Sequence, residues 1–511
     1  MKLPEREKKY YLFPLGELNN IPPFSWLHFE LIDTLAVAFI IAMFVKVFLF
    51  EIYKVPTSSM EPTILGDMIK DGQFFWGGDR VLVSKIAHLL GGIKRFDPVG
   101  FHHPLQKNIV FVKRVVGLPE EDITVIDGEV FYRKHDDPKG IFKIAKKPLK
   151  LQESIWIPVN IDIGGVPIIN YFESKNMVYE LNSDTFKINL PQASLHLTKS
   201  IKDKFYLDSG GNPVRDIKLF MQVQPSKLSG KCIIIYSFAR FKIAVRADFA
   251  KSTVHLIVKE KNSIIYKKAT NIKISEYYPI SFALLVFDGD IILKVDQKVA
   301  LQYTFIDKIT IRLEYGSNGL KYREEDFDKV FLRLFPYKSK LKVLFDDFEG
   351  YISKLKLFRD IFYIDKGGVK YRNVLRVPPK KYFVMGDHST NSYDSREWRK
   401  LGFSIENKEY YLDSLFKDSK YSETYNYIFF KDEYGIPRYV LKRGCRMLSR
   451  LEMLLNIIKN SEERNPFLPS LSCSPESGGR RNYFVDEELI MGKPLMILFP
   501  WSPKFRVKII R

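Results

Sequence analysis

Cysteine is scarce here: Cys232, Cys445 and Cys473 are the three thiols in 511 residues. Spaced so widely, they form neither a disulfide framework nor a zinc site, and their rarity is compatible with either redox compartment. No Cys-x-x-Cys, His-Glu-x-x-His, Walker loop or Gly-x-Ser-x-Gly occurs, which sets aside the usual metal, nucleotide and Ser-His-Asp sites. Alanine is sparse while Phe, Tyr, Val and Ile are plentiful, which favours strands over helices. A hydrophobic content of 46% with 14% aromatics excludes a mainly disordered chain. The length allows two or three domains with proper cores. The formal charge of +20 admits nucleic acid or an anionic membrane face as partner. The lysines are scattered over many segments, however, so a solvated basic surface is the plainer expectation.

One long apolar run is present, from Leu31 to Tyr53, uninterrupted over Thr34–Val45 and continued by Val47–Phe50 beyond Lys46. About 20 helical residues cross a bilayer, so the run predicts a single membrane anchor over 31–53. Lys46 lies near its end, where its stem can snorkel to the headgroups. Trp26 and Tyr53 flank it as interfacial aromatics do. Lys2, Arg6, Lys8 and Lys9 precede it, which predicts a cytoplasmic segment 1–30 and an extracytoplasmic remainder. The run starts late for a signal peptide and lacks a small-residue cleavage site.

Downstream, the chain reads as all-β. Residues 54–133 alternate short strands with turns, Asp127-Gly128 marking a hairpin. A long segment over 134–370 holds strand-like runs at Lys231–Phe238, Thr253–Val258, Ile280–Phe287, Ile291–Val295 and Lys308–Glu314, with Asp288-Gly289 as a turn. It predicts an inserted β-sandwich, and resembles faintly a laminin-G or concanavalin-type jelly roll. Residues 371–403 return to the first texture. Those over 404–480 form a polar insertion, partly helical at Met447–Lys459 and loop-like over Asn465–Arg480. Leu495–Phe499 offers a last strand within 481–511.

Two fragments invite chemistry: Val55-Pro56-Thr57-Ser58-Ser59-Met60-Glu61-Pro62-Thr63 and Phe111-Val112-Lys113-Arg114-Val115-Val116-Gly117-Leu118-Pro119. A serine hydroxyl is a poor nucleophile until a base takes its proton, and an ammonium is no base. A lysine becomes one when apolar burial disfavours its charge. On a strand, Ile109, Phe111, Lys113 and Val115 share one face and Arg114 points the other way. Ordinary solvated lysine is the competing reading of Lys113 taken alone.

With Met385-Gly386-Asp387-His388-Ser389-Thr390-Asn391-Ser392-Tyr393-Asp394-Ser395-Arg396 and Glu488–Pro494, these fragments follow the apolar run in an order that resembles the bacterial type I signal peptidases. The resemblance covers roughly 180 residues and leaves 134–370 and 404–480 outside. It implies a mainly β protein: an N-terminal transmembrane helix, a split catalytic β domain and the inserted sandwich. It further implies Ser59 as nucleophile and Lys113 as general base of a membrane-anchored endopeptidase that cleaves signal peptides from exported preproteins at the inner membrane. Thr57 matches an oxyanion-stabilising hydroxyl, Ser392 a serine orienting the lysine, and Asp394 and Arg396 a supporting ion pair. Val55, Met60 and Val112 match the lining of small substrate pockets, with ordinary core packing as the alternative. No cofactor or metal is implied; the partners are preproteins and membrane lipids.

Some residues depart from the pattern. Glu120 stands where glycine is usual after Gly-Leu-Pro. Pro98 interrupts a strand motif, which predicts a short or bulged strand there. His388 is expected to serve loop hydrogen bonding, and the His102-His103 pair lacks further ligands at metal-site spacing. Two other classes compete. One is a catalytically inactive membrane-tethered binding protein using the sandwich against carbohydrate or envelope protein. The other is a self-cleaving DNA-bound repressor, disfavoured because no helix-turn-helix precedes the peptidase part.

Overall fold

A computed structural model describes the backbone over 23–70, 73–126, 128–137, 141–159, 168–180, 184–203, 211–238, 241–305, 310–316, 319–322, 339–364, 374–405, 408–413, 422–423, 427–431, 437–441, 446–448, 480–481, 484–499 and 508–510. Side chains are described within these spans outside 23–30, 68–76, 310–322, 399–481, 499 and 508. The basic residues Lys2, Arg6, Lys8 and Lys9, the thiols of Cys445 and Cys473, and most of the expected loop over 465–480 lie outside them.

The apolar run forms the helix Pro23–Phe44 and a π-helical turn Val45–Leu49. The stretch Leu31–Leu49 has a mean hydropathy of 2.3 and buries none of its surface against the protein, so this helix is long and apolar enough to cross a membrane. It ends earlier than expected. Phe50–Lys54 is already a strand, paired with Arg80–Ser84, so Tyr53 belongs to the sheet. The helix therefore enters the folded domain without a linker. Lys85 fastens the joint: its Nζ bonds the carbonyls of Lys46 and Val47, and its N–H that of Leu49. These are carbonyls that a helix end leaves free.

Two sheets carry the first texture. The larger runs in the order Phe50–Lys54, Arg80–Ser84, Ile490–Phe499, Pro98–His103, Gln106–Gly117, Lys381–Met385 and Val485–Asp486. The far C-terminal strand is thus central, and longer than the Leu495–Phe499 expected. Pro98 opens its strand, a place where a ladder tolerates a proline, and the strand keeps six residues with a bulge at His102/His103. The smaller sheet contains the hairpin Glu121–Ile126 and Glu129–Lys134, turned at Gly128. Glu120 enters it with φ +62°, a left-handed conformation in which glycine would be unstrained.

The middle segment is a sandwich of an eight-stranded and a seven-stranded antiparallel sheet. Lys231–Phe238 and Ile280–Phe287 are strands with the bounds the sequence suggests. Alternating residues face inward, as Cys232, Ile234, Tyr236 and Phe238 do. This core is continuous with Ile126, Phe131, Phe142 and Ile144 of the smaller sheet, so the insertion packs directly on its host. The strand Thr310–Gly316 even pairs with Ile141–Ile144 beyond the sandwich. Further on, Met447 and Leu448 belong to a strand, Arg446–Leu448, where a helix was expected; the rest of that expected helix lies outside the described residues. A run of short hydrogen-bonded strands from Ser422 onward explains the change.

Candidate active site

Ser59 sits in a single 3-10 turn, Ser58–Met60, directly after the first strand of the larger sheet. The turn is held from several directions. Val55 N–H donates to the Asp79 carbonyl, Leu65 N–H to the Asp79 carboxylate, and His388 N–H to the Ser59 carbonyl at 3.1 Å. Asn391 Nδ2 donates to Ser58 Oγ at 2.8 Å, and His388 Nδ1 lies 3.3 Å from the Ser58 carbonyl oxygen. The loop after Met385 therefore clamps the serine turn, with His388 in a hydrogen-bonding role.

Lys113 lies on Gln106–Gly117, opposite Val99. Its Nζ is 2.5 Å from Ser59 Oγ. Both residues are buried, with exposures of 4% for Lys113 and 6% for Ser59. The Phe111 ring lies 5.2 Å from the amine, and Val115 on the same face is fully buried. Burial lowers the lysine to about 8, against the opposing pull of Asp394 and Asp387 and with help from Arg396. An amine so placed, once neutral, is within reach to take the hydroxyl proton.

Thr57 Oγ1 is 3.3 Å from Ser59 Oγ. Ser392 is buried beside Asp394 and helps hold that carboxylate low; among the described residues no hydrogen bond joins its hydroxyl to Lys113. Asp394 and Arg396 form a buried two-pronged pair, Nε to Oδ1 at 2.7 Å and Nη2 to Oδ2 at 2.5 Å. Burial pushes Asp394 up, but the guanidinium and the Gly386 N–H more than offset it, and the carboxylate stays below its usual range. Val55, Met60 and half-buried Val112 meet in one apolar cluster with Ile64, Val81, Val83 and Ile497. Met60 is wholly enclosed there, in the manner of core.

A second buried pair lies on the opposite face of the lysine strand. Arg114 grips Asp387 through Nε–Oδ1 at 2.8 Å and Nη2–Oδ2 at 2.6 Å, while Thr63 Oγ1 donates to Asp387 Oδ2 at 2.5 Å. It ties together all three sequence fragments. None of its members was singled out from the sequence, although an arginine on an otherwise apolar strand was the available signal. A bulge separates His102 from His103, and His102 Nδ1 lies 2.6 Å from the Lys107 carbonyl oxygen. His103 is enclosed by Phe111, Tyr393 and Trp398, and burial lowers it to about 3. The two do not converge on a metal position.

A further buried group lies where the sandwich meets its host. Lys147 Nζ is 2.5 Å from Asp288 and 3.0 Å from Asp360, and Arg215 reaches Glu129 at 3.2 Å. Glu129, Asp216 and Asp288 bring carboxylate oxygens within 4.8 Å of one another. Burial disfavours a charged Lys147, but Asp288 and Asp360 outweigh it and keep the ammonium, which with the Arg215 guanidinium supplies the positive charge in this group.

The sequence was also compared with known proteins. The signal peptidase, peptidase S26, family matches residues 28–147 and 349–409. The chain carries a split peptidase S26 domain. The gap between the matches holds most of the sandwich, and the second match begins one residue before the sandwich strand Gly350–Arg359. Similar relatives include signal peptidase I of Bacillus licheniformis, 28% identical over 142 residues, covering 27% of this chain and 67% of that protein. Signal peptidase IB of Staphylococcus aureus is 33% identical over 120 residues, covering 23% and 56%. Signal peptidase I of Buchnera aphidicola is 35% identical over 96 residues, covering 19% and 30%. The chain thus spans between 30% and 67% of these relatives' own length. Among solved structures, the carbohydrate binding module CBM66 from Bacillus subtilis aligns with 37% of this chain and 95% of its own at 6% identity, TM-score 0.24.

Proposed function

We propose that this S26 peptidase is a membrane-anchored serine endopeptidase that cleaves signal peptides from exported preproteins. The reading rests on one observation: a buried amine 2.5 Å from a buried serine hydroxyl, among residues that match the signal peptidase family. Lys113, when neutral, takes the proton from Ser59 Oγ as the oxygen attacks the scissile carbonyl. A tetrahedral oxyanion forms; the Thr57 hydroxyl and the Ser59 N–H stabilise it, each such donor contributing about 2.7–4 kcal/mol. The Lys113 ammonium then returns the proton to the leaving amine, and water hydrolyses the acyl-enzyme by the same base. Asp394–Arg396 and Ser392 support the lysine from behind. Val55, Met60 and Val112 form the apolar wall beside the serine, and Met60 contributes by packing.

The helix over 31–49 anchors the enzyme once in the inner membrane, with the catalytic domain outside by the bias of the basic N-terminal residues. Nine residues lie between Leu49 and Ser59, so the cut falls near the bilayer surface, where enzyme and substrate share a confined search. The reaction as written needs no cofactor. The test is preprotein cleavage in proteoliposomes by the full chain, Ser59→Ala and Lys113→Ala. Cleavage by the wild type alone is expected. Equal rates in all three would dismiss the dyad, and no cleavage by any would favour a tethered binding protein.

A further inference from the structure

The two outer faces of the sandwich differ. One is covered: Trp156, after the helix Leu149–Ile155, packs on Ala283, Leu285, Phe287 and Ile292 of the eight-stranded sheet. On the seven-stranded sheet the outward residues are half-buried or exposed. Besides Lys231 at one strand end, its neighbouring strands Lys340–Asp346, Lys231–Phe238, Phe241–Asp248, Thr253–Glu260 and Ser263–Asn271 direct six cations outward: Lys340, Lys342, Lys242, Arg246, Lys259 and Lys267. The register aligns them in rows. Lys340 faces Ser237, Ser237 faces Lys242, and Lys242 faces Lys259 directly across the strands. The next row runs from Lys342 through Ile235, Ala244 and Ile257 to Lys267.

Like charges directly opposite on a sheet cost stability. None of the six has an ion-pair partner among the described residues. One carboxylate, Glu173, lies at the far end of the second row, beyond His196, which faces Lys342; Asp346 lies at the strand ends beside Lys231. Between the cations lie Ile233, Ile235, Leu344 and Ile257, all half-buried and flush with the sheet. Bilayer insertion needs a cluster of protruding apolar groups, and in these rows Ile264, opposite Lys259, is the one exposed aliphatic side chain among the described residues. Base stacking needs a series of aromatic rings, and His196 opposite Lys342 is the one ring at the outward positions of these two rows among the described residues. What fits is an extended chain of anionic groups on a saturated backbone, its charges at the lysines and its C–H groups on the aliphatic floor.

We propose that this face binds a linear polymer of phosphate groups joined by polyol or sugar units, lying across the strands. The experiment uses the full chain in neutral-detergent micelles, with synthetic poly(glycerol phosphate) as probe and neutral dextran as reference. Lys242→Gln/Lys259→Gln/Lys340→Gln is compared with Lys227→Gln/Lys354→Gln/Lys356→Gln, which removes the same charge away from these rows. Binding to poly(glycerol phosphate) alone is expected, weakened tenfold or more by the first variant and less than twofold by the second. The log–log salt slope should fall by about 2 in the first variant only. Its melting temperature should hold or rise, since opposed like charges are removed; if it fails to fold, Arg246→Gln/Lys342→Gln should weaken binding in the same sense. Absence of polymer binding, or equal losses in both variants, would overturn the proposal. So would stronger binding of duplex DNA, or of vesicles containing anionic phospholipid, than of the polymer.

Discussion

Gly386 stands directly behind Ser59: a Cβ placed on it would lie 2.3 Å from the Ser59 carbonyl oxygen and 2.2 Å from Ser392 Oγ. The Ser59 carbonyl is backbone, and Ser392 Cβ, at 2.7 Å, stays in the way even if the hydroxyl turns. The loop approaches the serine turn so closely that His388 N–H reaches the same carbonyl. Gly386→Ala is therefore expected to displace the turn and reduce preprotein cleavage at least a hundredfold, because a misplacement near 1 Å costs about that much. Near-normal cleavage by this variant would show that the approach is looser than the geometry indicates.

Arg114 and Asp387 make a fully buried pair whose partners come from the second and third fragments. Burial works against the guanidinium, but Asp387 outweighs it and raises Arg114 above its usual value. Removing one partner strands a buried charge, at about 3–5 kcal/mol. Arg114→Met should lower chemical-denaturation stability by that order, and Asp387→Asn somewhat less, since it keeps a hydrogen-bonding group for Thr63. A double variant closer to wild type than Arg114→Met would confirm that the stranded charge is the cause.

Stability of the junction between sandwich and host should fall as pH rises. Burial, then Asp216, raises Glu129 to about 7; burial raises Asp216 to about 6 against the pull of Arg215. An acid whose folded pKa is raised contributes stability that is whole below its unfolded value, near 4, and is lost as pH climbs through its folded value. The loss between about pH 4 and 7 is on the order of 1–3 kcal/mol. Glu129→Gln should flatten a stability–pH profile over that window and stabilise the protein at pH 8. An unchanged slope would mean that the proton resides elsewhere in the group.

The strands of the sandwich were legible because alternation of apolar and polar residues is strong in Lys231–Phe238, and because Asp288-Gly289 announces its turn. The closeness of Lys113 to Ser59 was expected from the family resemblance of their two fragments, with which the apolar face of the strand agrees; taken alone, the lysine reads as solvated. Other features were not. The end of the apolar helix was overextended because Phe50, Ile52 and Tyr53 continue its apolar and aromatic character around Glu51, and only the pairing with Arg80–Ser84 turns this stretch into a strand. The central position of Ile490–Phe499 depends on a pairing across most of the chain, which local pattern does not encode. Arg114–Asp387 and Lys147–Asp288 escaped notice for the same reason: each joins residues far apart in sequence, and charged residues read singly look solvated. Glu120 shows the reverse, since its place in a glycine position anticipated the left-handed turn it adopts.

The most direct test of the account is the pH dependence of kcat/KM for preprotein cleavage by the full chain in proteoliposomes. Burial places Lys113 at about 8, and the base must be neutral to act, so activity should rise with pH along a single acid limb centred near 8. The same depressed lysine loses its proton before the unfolded chain does, so its contribution to stability should grow between about pH 8 and 10.5. A limb centred near 6 to 7, or a rate indifferent to pH between 6 and 10, would contradict the assignment of a neutral lysine as the base.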